Sequence, residues 1–203
     1  MRLLVVCSGN ICRSPLTTAL LRMRLDARWQ VESAGTAALE GEPMAPESIA
    51  LAHRYGVPDV SHEARRLTPS LAESADLILA LDRAQRRRVA ELAPRVVRRT
   101  FTLREFARLG AGAERSRVFP SRSLEELLEA ISEQRRLWVG DVGPEEDEVV
   151  DPFGRPMEVH VEAGRIIDEA VRVIARVLDG VGTPMRSGSE STTSHGAPGH
   201  SSR

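Results

Sequence analysis

Hydrophobic positions along this chain fall into two recurring patterns. Short apolar runs of strand length occur at 2–6 ("RLLVV") and 75–81 ("ADLILAL"), and their unbroken character suits strands buried on both faces. Segments 30–35 ("QVESAG") and 95–101 ("RVVRRTF") read as two further strands. Between them, apolar residues recur at helical spacing, which predicts helices over 14–29, 45–57, 82–94 and 102–109, with a long final helix over 157–178. Pro94 stops the third of these and Gly56 ends the second. Strands alternating with helices imply right-handed crossovers, so the expected fold is α/β: a doubly wound four-stranded parallel sheet with helices on both faces. Residues 110–150 break the rhythm with a Gly/Ala-rich link, a helix over 123–138 and an acidic loop, "GPEEDEVV". This stretch is read as a helical insertion in one domain spanning 1–180. The polar, low-complexity residues 181–203 are expected to be disordered.

Composition narrows the possible functions. At 203 residues with a net charge of −1, the chain is large enough for one core and shows no broad basic field, so no nucleic-acid or membrane partner is expected. All 28 basic residues are arginine, which reads as codon bias toward a GC-rich bacterial genome. Nothing resembles a secretory leader or a membrane span, and two cysteines cannot form a disulfide framework. A cytoplasmic location is therefore expected.

Both cysteines lie in one ten-residue stretch, "VCSGNICRSP", which also holds the only asparagine, Asn10. The stretch joins a strand to a helix, the place where open α/β sheets bind ligands. Ser14 and Pro15 read as the helix start, with Ser14 as its cap. A helix amino terminus offers free N–H groups to an anion, and Gly9 and Asn10 tolerate the left-handed backbone needed to curl those groups inward. Cys7 opens the loop and Arg13 closes it. Closing the cradle would bring a nucleophile under a planar, bidentate charge clamp and favour the thiolate. No metal or other cofactor is required by such an arrangement, and no zinc-like spacing is present.

The loop resembles the signature of the low-molecular-weight protein tyrosine phosphatases, matching at Cys7, Gly9, Asn10, Cys12, Arg13 and Ser14. "SAGT" at 33–36, "HEARRL" at 62–67, "ADLILAL" and "DPFG" at 151–154 resemble further family segments in the same order. The resemblance covers about 1–109 and 149–178. It implies a metal-independent phosphatase with a phosphocysteine intermediate, acting on a phosphorylated protein and releasing inorganic phosphate. Cys7, Arg13 and Asp151 would be catalytic: Cys7 as nucleophile, Arg13 as charge clamp, Asp151 as general acid and then base. Ser8, Gly9, Asn10, Ile11, Cys12, Arg13 and Ser14 would bind the phosphate, and Ile11 and Phe153 would line the substrate cleft. The resemblance also implies a protective Cys7–Cys12 disulfide under oxidation, and a monomer or weak dimer. The helical insertion would lie just ahead of the acid loop.

Phosphotyrosine is the favoured substrate. The "DPFG" segment also resembles protein-arginine phosphatases, but those carry threonine where this chain has Ile11, and a branched apolar residue suits an aromatic leaving group. The chain lacks the adjacent aromatics usual after Asp-Pro, and "AALEGEP" lacks the usual aromatic cleft wall. A non-catalytic phosphate-binding module and a thiol redox protein are lesser alternatives: the first ignores Asp151, the second lacks Cys-x-x-Cys spacing. His62, Arg65 and Arg66 read as structural. The acidic run 145–148 reads as a solvated loop, or as one lying close to Asp151 and acting on it.

Overall fold

The computed structural model describes residues 1–115, 121–137 and 143–182. Its elements are β1 (Arg2–Cys7), α1 (Arg13–Arg24), β2 (Gln30–Gly35), α2 (Pro46–Arg54), α3 (Pro69–Glu73), β3 (Leu77–Ala80), α4 (Arg83–Leu92), β4 (Thr100–Thr102), α5 (Leu103–Glu114), α6 (Leu124–Leu137) and α7 (Met157–Asp179). The four strands are parallel in the order β2-β1-β3-β4. Alternate side chains of β1 divide the core. Leu3, Val5 and Cys7 face a large cluster shared with α1, α2, α5, α6 and α7, while Leu4 and Val6 face a smaller one with Ala72 of α3 and Val89 of α4. Helices therefore cover both faces, as the alternating pattern predicts. Among the described residues, no helix is long and apolar enough to cross a membrane.

Several elements differ from the sequence reading, the first helix among them, which ends at Arg24 and not at 29. Residues 95–101 are not one strand: Pro94–Arg99 form a 3₁₀ turn and only Thr100–Thr102 join the sheet. Proline starts that turn well, and Thr100 Oγ1 donates back to the Val96 carbonyl at 2.8 Å. The Gly/Ala-rich "link" is instead the second half of α5. A Cβ on Gly110 would come within 3.1 Å of Val177, and one on Gly112 within 3.3 Å of Gln134, so these glycines let α7 and α6 approach closely. Helix α3 carries no periodic signal in five residues; Thr68, whose hydroxyl accepts from Leu71 N, and Pro69 start it.

Helix α6 packs Leu127 and Ile131 into the large core, and Arg135 lies 4.5 Å over the Phe101 ring. Fully burying such aliphatic side chains contributes about 1.5–3 kcal/mol each. Residues 116–120 and 138–142 of the expected insertion lie outside the described residues, as does the expected tail from 183 onward. Val181 is not part of a polar tail: it is buried, and its carbonyl accepts from Arg28 at 2.8 Å.

Candidate active site

The order β2-β1-β3-β4 reverses direction between β1 and β3, which opens a crevice at their carboxyl ends. The loop 8–12 occupies it. Five consecutive carbonyls, from Cys7 at the end of β1 to Ile11, are tied outward. Those of Cys7, Ser8, Gly9 and Ile11 accept from the amides of Thr36, Ala37, Leu39 and Ala45 at 2.8–3.0 Å, and that of Asn10 accepts from His62 Nε2 at 2.6 Å. With its carbonyls outside, the loop turns amides inward. Among the described residues, those of Gly9, Ile11, Cys12 and Arg13 have no protein acceptor, which is the arrangement an anion needs. The β2 end fits against the loop so closely that a Cβ on Gly35 would strike the Ser8 carbonyl.

Asn10 organises the floor. Its backbone is left-handed (φ 58°), a conformation asparagine tolerates, whereas Gly9 does not have positive φ. Asn10 Nδ2 donates to Ser14 Oγ and Ser33 Oγ, both at 2.9 Å, and Oδ1 accepts from Arg65 N at 3.0 Å. Its own amide donates to Cys7 Sγ at 3.2 Å. Ser14 Oγ lies 2.9 Å from the same sulfur. The serine therefore does not cap α1, which starts at Arg13 with no side-chain cap; its hydroxyl is turned into the loop instead. Because the Asn10 carbonyl only accepts, His62 carries its proton on Nε2. Burial lowers the His62 pKa, outweighing that hydrogen bond, and favours this neutral form.

Arg13 is 3% exposed and reaches across the pocket. Nη2 donates to Asp151 Oδ2 at 2.6 Å, while Nη1 donates to Asp82 Oδ2 at 3.2 Å and to the Val149 carbonyl at 3.1 Å. Asp82 Oδ1 caps α4 by accepting from Gln85 N at 2.7 Å, and Gln85 Nε2 reaches Ser8 Oγ at 3.1 Å. Asp82 and Gln85 were not among the sequence candidates. Their signal is position, at the carboxyl end of the strand beside β1.

A cavity of about 200 Å³ is lined by Cys7, Ser8, Gly9, Ile11, Cys12, Arg13, Ala37, Leu39, Asp151 and Phe153. All the candidate catalytic and cleft residues therefore meet in one place, and Asn10 and Ser14 lie fully buried behind it. Phe153 is 62% exposed at the rim, an open apolar face for a ring to stack on. Leu39, also exposed, supplies an aliphatic wall from the segment that lacks aromatics. A second cavity of about 480 Å³ adjoins the first and shares Ile11, Cys12, Leu39 and Phe153.

The acidic run is not simply a solvated loop. Glu145 and Glu146 are exposed, but Asp147 is buried against Arg83 and Arg108. Cys7 and Cys12 are free cysteines, not joined in a disulfide. Burial, then the neighbouring Cys7, pushes the Cys12 pKa from 9.0 up to about 11. Any stability this shift confers is present below pH 9.0 and is lost as the pH rises toward 11. At neutral pH Cys12 stays a thiol, so iodoacetate is expected to leave Cys12 unlabelled, as read by peptide mass. Ready labelling of Cys12 at neutral pH would contradict the burial argument.

Fold and loop together define a doubly wound α/β domain with a cysteine at the floor of an anion cradle. The chain belongs to the low molecular weight phosphotyrosine protein phosphatase family, whose pattern matches residues 2–118. A probable low molecular weight protein-tyrosine-phosphatase, EpsP of Ralstonia nicotianae, is 38% identical over 137 residues, 68% of this chain and 92% of the relative. Among solved structures, the YwlE arginine phosphatase of Geobacillus stearothermophilus is similar with a TM-score of 0.66 and 25% identity, covering 88% of this chain and 92% of that one. Wzb of Vibrio vulnificus, in complex with benzylphosphonate, is similar with a TM-score of 0.63 and 26% identity, covering 86% and 97%.

Proposed function

We propose that this chain hydrolyses phosphotyrosine in proteins, without a metal ion, through a phosphocysteine on Cys7. The observation that carries this reading is that Cys7, in a loop whose carbonyls are bonded outward, lines one cavity with Arg13 and Asp151, which are joined at 2.6 Å. An entering phosphate replaces Asp151 on the Arg13 guanidinium and leaves that carboxyl beside the ester oxygen. The Cys7 thiolate forms the S–P bond as the P–O bond breaks, and Asp151 gives its proton to the departing phenolic oxygen. Arg13 and the loop amides hold the three equatorial oxygens, supplying the positive charge that phosphoryl transfer needs. Water then attacks phosphorus, Asp151 takes its proton, the S–P bond breaks and inorganic phosphate leaves. Ser14, beside the sulfur, donates to the thiolate as it departs.

The substrate side of the reading rests on the cleft. Ile11, Leu39 and Phe153 make apolar walls around the cavity, which suit an aromatic ring better than a guanidinium. A phosphorylated protein as partner, a monomer or weak dimer and a cytoplasmic location belong to the same reading. The resemblance to an arginine phosphatase over 88% of the chain supports the alternative substrate, phosphoarginine. Matched peptides separate the two. Phosphotyrosine is expected to be hydrolysed at least about tenfold faster by kcat/KM, which is about 1.4 kcal/mol of discrimination, with Ile11→Thr narrowing the gap. A wild-type preference for phosphoarginine would reverse the assignment.

A further inference from the structure

A carboxylate outside the reacting cavity holds the segment that carries Asp151. Asp147 is 6% exposed, and its two oxygens serve two different elements. Oδ2 accepts from Arg83 Nη2 at 2.9 Å and Oδ1 from Arg108 Nη2 at 2.9 Å. Arg83 is the first residue of α4, and Arg108 lies in α5. Arg104, also in α5, donates to the carbonyls of Glu145 and Glu148 at 2.7 and 3.1 Å. Two residues beyond Asp147, Val149 N donates to the Leu81 carbonyl at 2.8 Å while its own carbonyl accepts from Arg13. Only Val150 then separates this anchored stretch from Asp151.

A buried carboxylate is expensive to desolvate and is tolerated only while its oxygens stay paired. That cost ties the segment to one position, since sliding it would strip a partner from the charge. The common reference point is the β3–α4 turn. Asp82 orients Arg13 from this turn, and the adjacent Arg83 orients Asp147 from it. The charge clamp and the acid are thus registered against the same few residues.

We propose that Asp147 is a positioning residue for proton transfer, setting through Arg83 and Arg108 where Asp151 stands relative to the departing oxygen. This rests on the reading of Asp151 as the general acid. A misplacement of one ångström at such a step is enough to cost on the order of 10²-fold in rate.

The test compares kcat/KM on phenyl phosphate, whose phenolate must be protonated as it leaves, and dinitrophenyl phosphate, whose phenolate leaves unprotonated. Loss of folded protein lowers both rates in proportion, so their ratio reports acid catalysis alone. Asp151→Asn is expected to lower the phenyl rate by about 10²-fold or more, with a far smaller effect on the dinitrophenyl rate. Asp147→Asn is expected to move the ratio about tenfold in the same direction. Arg83→Gln, at a partly exposed residue and so mild toward folding, is expected to move it less, since Arg108 remains. A ratio shifted by Asp151→Asn but unchanged by Asp147→Asn and Arg83→Gln would overturn the positioning role and leave the acid assignment standing. A ratio unchanged by Asp151→Asn would overturn both.

Discussion

Cys7→Ser is expected to abolish steady-state hydrolysis of aryl phosphates, with a fall of at least about 10³-fold, while oxyanion binding survives. The cradle is built from backbone amides whose geometry is set by carbonyls bonded to Thr36, Ala37, Leu39, Ala45 and His62, and none of these bonds uses the sulfur. A serine oxygen can still accept from Asn10 N and meet Ser14 Oγ, so the loop keeps its shape. What is lost is chemical: an alcohol is a far weaker nucleophile than a thiolate, and a phosphoserine has a poorer leaving group for the second step. Tungstate or inorganic phosphate affinity measured by calorimetry should stay within a few-fold of wild type. Retained turnover would mean that another group attacks phosphorus.

Arg13→Lys is expected to cost roughly 10²–10³-fold in kcat/KM even though the charge is kept. The guanidinium spans three partners at once, with Nη1 on Asp82 and the Val149 carbonyl and Nη2 on Asp151. An ammonium is a single point and cannot hold the clamp against Asp82 while presenting two parallel donors to a phosphate. The loss should fall on kcat as well as KM, because the equatorial oxygens spread their charge most in the transition state. Steady-state kinetics with a chromogenic aryl phosphate would decide it. A variant that changed KM alone would show that Arg13 only recruits the substrate.

The loop at 7–14 was legible in the sequence because it is local. A cysteine, a left-handed asparagine and an arginine sit within a few residues of one another between a strand and a helix, and that arrangement is written contiguously. Strand β2 was legible over its full length, 30–35, for a similar reason. Local reading failed where a distant partner decides. Gly110 and Gly112 look like a flexible link until Val177 and Gln134 are placed against them. Residues 95–99 have strand-like composition, yet Pro94 and a buried Val96 turn them into a 3₁₀ segment.

The support around the loop is equally long-range: His62 reads as structural from the sequence, but its partner does not. Ser33 and His62 contact Asn10 across 23 and 52 residues of chain, and Asp82 contacts Arg13 across 69. None carries a spacing signal of its own, since parallel pairing of β3 with β1 is what brings Asp82 to the site.

By itself, then, the sequence determined the alternating architecture and the strand–loop–helix stretch that holds Cys7, Asn10 and Arg13, since each depends on residues close in the chain. Tertiary structure alone decided the partners of Arg13, the anchoring of Asp147 and the place of Leu39 in the cleft wall. Asp151 meets Arg13 across 138 residues, and only the packing of β1 beside β3, with Val149 bonded to Leu81, brings those two charges into contact.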